Sequence, residues 1–151
     1  MPRTAALFSL ILAASAWLAA QADEEAAPHC RFDRSLVLVR RFAEVPPAVR
    51  EDILRDGAIA EAGQPFTPYD DISDPSLPVR RFVLAGTKAG QWFVWIDHGG
   101  FARHNHVLGY YPVSYGFEKR PRLMRAANFI GAPCAAIEAF FKGVITGGVA
   151  D

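Results

Sequence analysis

Apolar and polar positions alternate most clearly between residues 79 and 111. Residues 79–85, 91–97 and 103–111 form three runs rich in Val, Phe, Trp, Ile and Tyr, the β-branched and aromatic types that suit a pleated surface. Glycine-rich segments at 86–90 and at Gly99-Gly100 separate them, so the pattern predicts an antiparallel meander with short turns. The middle run is apolar at five consecutive positions, Trp92, Phe93, Val94, Trp95 and Ile96. A strand of that kind is covered on both faces or covered on one and used on the other. Pro112 is expected to end the third strand. Two weaker runs follow at 113–117 and 122–130, one of which continues the meander, and residues 35–42 read as another strand.

Two segments follow the helical period. Over residues 46–56, Pro46-Pro47 suits a first helical turn, Val49, Ile53 and Leu54 share one face, and Arg50, Glu51, Asp52 and Arg55 take the others. Over residues 133–142, Cys134, Ile137, Phe140 and Phe141 are expected to face inward, with Gly143 as the stop. Between them, residues 63–78 carry Pro65, Pro68, Pro75 and Pro78, which deny both helix and ladder and predict a surface loop. Asp70, Asp71 and Asp74 lie in that loop, but without the spacing of an EF-hand calcium loop. The predicted fold class is α+β: an antiparallel meander of four to five strands packed with two short helices.

The chain opens with Arg3, an apolar run over 5–20, the small-x-small sequence Ala20-Gln21-Ala22, and Asp23-Glu24-Glu25. That order predicts a secretory signal peptide over residues 1–22, cleaved to leave one domain over 23–151. The destination is then the periplasm or the medium. Of the 151 residues, removal of 22 leaves 129, the size of one domain. The apolar run is shorter than the ~20 residues a spanning helix needs, and no second such run follows, so no membrane span is expected in the mature chain.

Sixteen basic residues balance sixteen acidic ones. The leader carries Arg3 alone, so the remainder is one unit negative, without the basic excess that nucleic acid requires. The local basic spots Arg80-Arg81 and 119–125 are expected to be solvated faces. Cys30 and Cys134 are the two cysteines. In an oxidising compartment they predict one disulfide near the two ends of the mature chain. Neither belongs to a C-x-x-C motif, so redox chemistry is not expected.

Candidate chemistry concentrates in residues 97–106, where Asp97, His98, Arg103, His104 and His106 lie close in sequence. On a strand, His104 and His106 share a face. If Gly99-Gly100 is a two-residue turn, His98 pairs with Phe101, Trp95 faces His104, and His98 lies on the opposite face. If residues 99–103 form a five-residue loop, His98 pairs with His104 and three histidines share a face. The Gly-Gly dipeptide favours the tight turn, and a one-residue slip reverses the geometry. The ligand-binding candidates are therefore Trp95, Asp97, Arg103, His104 and His106, and the metal candidates are His98, His104 and His106 for a zinc-type ion. The competing reading is ordinary strand histidines stacked on Trp95 and Phe93, with Trp92, Trp95, Tyr110 and Tyr111 as core.

No H-E-x-x-H, G-x-S-x-G or cysteine-nucleophile pattern is present, so catalytic residues stay unassigned and no other cofactor is expected. The sequence leads to a small exported module that binds a protein or small ligand. The alternative is a zinc-type metal-binding protein or metal-dependent hydrolase using His-x-His. Metal-free acid–base chemistry, with a histidine as base, Asp97 as its orienter and Arg103 on an anion, ranks behind both.

Overall fold

The computed structural model describes residues 30–70, 74–116 and 120–146. The predicted leader, residues 1–22, lies outside them. Strand β1 spans Val37–Val39, helix α1 Pro47–Arg55, β2 Arg80–Lys88, β3 Gln91–His98, β4 His104–Val113, β5 Arg122–Ile130 and helix α2 Pro133–Phe141, with one 3-10 turn at Phe42–Glu44. The five strands form one antiparallel sheet in the order β1-β2-β3-β4-β5. This is the expected α+β meander with two helices.

The helices cover opposite faces, so the sheet is the middle of three layers. Period-two alternation sends Trp92, Val94 and Ile96 of β3 to the α1 side, where they meet Val49, Ile53, Phe82, Leu108 and Tyr110. Phe93 and Trp95 go to the α2 side, against Leu84, Val107, Ile137 and Phe140. That double burial explains the unbroken apolar run of β3. Each helix starts with proline at its first turn, where a missing N–H leaves nothing unpaired. Val49 and Ile53 are fully buried but Leu54 is exposed, so the inward stripe of α1 is narrower than expected. The predicted disulfide is present: Cys30 is bonded to Cys134 in the first turn of α2. Among the described residues no helix is long and apolar enough to cross a membrane.

Several local expectations are corrected. The strand expected over 35–42 is only three residues long, and the chain then turns to bury Phe42. The turn expected over 86–90 is two residues, Ala89-Gly90, because β2 runs on to Lys88, opposite Gln91. Gly86 belongs to the ladder, where a Cβ would stand 2.6 Å from the Phe93 ring. Its lack of a side chain serves packing, not a turn. Pro112 does not end β4: it lies beyond the last β3 partner, Tyr110, and pairs with Leu123 of β5. Segment 122–130 is the fourth meander strand, and of the described residues 113–116 Val113 alone belongs to a strand.

Candidate functional site

The β3–β4 register decides the site. His98 stands opposite His104, Asp97 opposite Asn105 and Ile96 opposite His106. The five-residue loop is therefore adopted, and the tight turn suggested by Gly99-Gly100 is not. The reason lies in tertiary packing. A Cβ on Gly99 would fall 1.9 Å from the Thr67 carbonyl oxygen, and the Gly99 N–H donates to the Val79 carbonyl at 2.7 Å. Gly99 is the seat of the proline-rich loop, which needs a residue without a side chain there.

This register gathers three imidazoles on the α1 face, past the end of that helix. Ring centroids of His98 and His104 are 5.0 Å apart, His98 and His106 5.6 Å, and His104 and His106 4.7 Å. Each Nδ1 is anchored to an oxygen. That of His98 lies 2.8 Å from the Gly99 carbonyl, that of His104 faces the Ala102 carbonyl, and that of His106 lies 2.8 Å from Asn128 Oδ1 on β5. The Nε2 atoms of His104 and His106 face each other at 2.8 Å. Burial holds the His106 imidazole below its ordinary range. The Asn128 acceptor opposes this, and His104, His98 and Arg80 add to the lowering.

Beside the imidazoles lies a pocket of about 150 Å³, floored by Ile96 and Leu108 and walled by His98, His106, Asn128, Arg80, Arg125 and Asp56. A space this small suits an ion or a ligand of a few atoms, well below the ~300 Å³ at which drug-sized sites begin. Arg80 is 6% exposed. Its Nη2 donates to the Ile53 carbonyl at 3.1 Å and to the Gly57 carbonyl, so the guanidinium caps the negative end of α1. Burial lowers the Arg80 pKa, partly offset by Asp56. Arg125 donates to Asp52 at 2.7 Å and to Asp56 at 2.9 Å, and the Tyr110 hydroxyl donates to Asp52 at 2.9 Å. Arg125 thus bridges two carboxylates while Arg80 is met by backbone carbonyls, and the pocket wall itself carries two guanidiniums, Arg80 and Arg125, and one carboxylate, Asp56.

The remaining candidates are on the other face. Asp97 is buried on the α2 side, where its carboxylate accepts from Arg81 at 3.1 Å and from Arg103 at 3.0 and 2.7 Å. Arg81 also lies over the Phe66 ring at 4.2 Å, which ties the proline-rich loop to the sheet. Trp95 is core, its indole N–H donating to Asn105 Oδ1 at 2.8 Å. The structure therefore brings His98, His104 and His106 together and separates them from Trp95, Asp97 and Arg103. The Asp97–histidine orienting pair is not formed.

Sequence reasoning missed Arg80, Arg125 and Asn128. Arg80 and Arg81 were expected to be solvated, yet both are largely buried. Adjacent strand residues point to opposite faces, so a sheet covered on both sides must bury both. That signal was available. Arg125, in the other expected solvated run, instead bridges the sheet to α1. Among the described residues, no group of three or more His, Cys, Asp or Glu side chains is placed to hold a metal ion. No protein-family model matches the chain, and no curated protein or solved structure matches it.

Proposed function

We propose that this protein is an exported binding module whose ligand site is the pocket at the imidazole cluster, and that its ligand is small and polar or ionic. One observation carries the reading. The α1 face of the sheet is apolar along β3 and β4 until it reaches His98, His104 and His106, where Asn128, Arg80 and Arg125 join them around a small cavity. Burying so many polar groups beside a core is unfavourable unless each is satisfied, and a ligand able to bond several at once adds to that satisfaction. Export is supported by the leader pattern and the Cys30–Cys134 bridge.

Two measurements test this. Imidazole ¹H–¹⁵N correlations of the untagged mature chain should shift saturably at His98 and His106 with one of a panel of small anions, metal ions and neutral amides. A panel that leaves both unshifted refutes the site. Mass spectrometry of the natural product should find the chain starting near Asp23 with the bridge formed. Retained Met1 with both thiols reduced refutes export.

A second reading, a metal ion on the same imidazoles, has a specific observation in its favour: the facing Nε2 atoms of His104 and His106. Catalysis is not proposed, because the carboxylate expected to orient a histidine stands on the opposite face.

A further inference from the structure

The facing imidazoles carry a constraint that goes beyond a generic pocket. A backbone carbonyl only accepts hydrogen bonds, so His104 Nδ1, directed at the Ala102 carbonyl, carries its hydrogen. His106 Nδ1 lies against the Asn128 carboxamide and, with the amide oxygen turned toward it, carries its hydrogen as well. Both neutral rings therefore turn a bare Nε2 lone pair toward the other, 2.8 Å away. Two acceptors at that distance repel unless a shared proton or a metal ion lies between them. The arrangement matches metal-binding histidines, whose second nitrogen donates to a carbonyl or carboxamide that fixes the tautomer.

We propose that His104 and His106 form a two-nitrogen chelate for a transition-metal ion of tetragonal preference, copper(II) or nickel(II), in preference to tetrahedral zinc. The bite distance decides between them. Two metal–nitrogen bonds of roughly 2.0–2.1 Å that end 2.8 Å apart enclose an angle of roughly 85–90°. A tetrahedral ion needs its two nitrogens roughly 3.3–3.4 Å apart at the same bond length. Right-angled nitrogen pairs belong to square-planar, tetragonal and octahedral ions, and among these imidazole favours copper(II) and nickel(II). Because only two protein ligands are supplied, the other positions go to water or to a small ligand from the adjoining pocket. Arg125 is matched by Asp52 and Asp56, while Arg80, although it faces the negative end of α1, still opposes added positive charge at His106, so the two nitrogen bonds must outweigh that repulsion.

This inference rests on the imidazole cluster being the binding site, and the test separates the two. The probes are copper(II), zinc(II) and cobalt(II) salts, titrated into the untagged, disulfide-bonded mature chain. Copper should bind one per chain, with an axial electron paramagnetic resonance spectrum split by two imidazole nitrogens. His104→Ala and His106→Ala should each weaken it by at least ~100-fold, with His104→Gln and His106→Gln as substitutes if an alanine variant unfolds. Asn128→Leu, which frees the His106 tautomer, should weaken it by ~10–100-fold. His98→Phe should keep the two-nitrogen spectrum. The inference is overturned by absence of copper binding, by binding that survives His104→Ala, or by a tetrahedral cobalt spectrum. Anion- or amide-induced shifts at His98 and His106 without copper binding sink this inference and leave the binding module standing. Silence toward every probe sinks both.

Discussion

Replacing Gly109 by alanine probes how tightly α2 is seated on the sheet. Gly109 lies in β4, between Phe93 of β3 and Ala127 of β5. A Cβ there would stand 2.3 and 2.4 Å from two carbons of the Phe140 ring and 3.1 Å from the Ala127 Cβ. Carbon atoms rest ~3.5–4.0 Å apart, so the ring must retreat by more than ~1 Å. It has nowhere to go: Phe140 is fully buried, between Tyr111 at 5.0 Å and Phe141 at 5.1 Å. Its backbone is also held by the Tyr111 hydroxyl at 3.1 Å. Overpacking costs ~1–3 kcal/mol where neighbours give a little, and a site this rigid belongs at the top, about 3 kcal/mol. For a domain of this size that is a fall in Tm of roughly 10–15 °C. Urea unfolding followed by circular dichroism reads the difference. Phe140→Ala alone should cost ~3–5 kcal/mol. With the ring gone the Gly109→Ala clash goes too, so the double variant should lose ~2 kcal/mol less than the two single losses combined. A Gly109→Ala protein within ~0.5 kcal/mol of the parent, or strictly additive losses, would refute the packing argument.

Three further outcomes follow from the same geometry. Replacing Cys30 and Cys134 together by serine opens a loop closed across 104 positions and should cost ~4–5 kcal/mol in urea; a loss below ~1 kcal/mol would contradict it. Asp97→Asn takes from the partly buried Arg81 and Arg103 the carboxylate they share and should cost ~1.5–3 kcal/mol. A stable Asp97→Asn protein would mean the cluster is not structural. Burial alone would raise the Asp52 carboxyl, but Tyr110, Arg125 and Arg55 together hold it below its ordinary value of 3.8. Because the folded pKa is the lower one, its stabilisation is present above pH 3.8 and is lost as pH falls through the folded value. Urea midpoints between pH 2 and 5 should therefore fall less steeply for Asp52→Asn than for the parent, and parallel curves would refute the link.

Much of the fold was legible because burial on both faces writes itself as an unbroken apolar strand, and because proline and glycine bracket both helices. What was not legible depended on neighbours distant in sequence. Gly86 and Gly99 look like turn residues, yet each is glycine because something else approaches: the Phe93 ring in one case, the Thr67 carbonyl in the other. Reading Gly99-Gly100 as a tight turn would have put Trp95 and Asp97 with His104. The loop at Thr67 set the other register and with it the three-histidine face. Asn128 gave no local sign of its role, since its importance arises only when β5 lies beside His106.

The Cys30–Cys134 bridge has a mechanical consequence. All five strands and α1 lie between the two sulfurs, so tension applied to the flanking chain passes through one covalent link and never reaches the sheet. Stretched while oxidised, the protein should yield only the polypeptide outside that ring. After reduction, the hidden 104-residue span would pay out roughly 340–370 Å of extra contour.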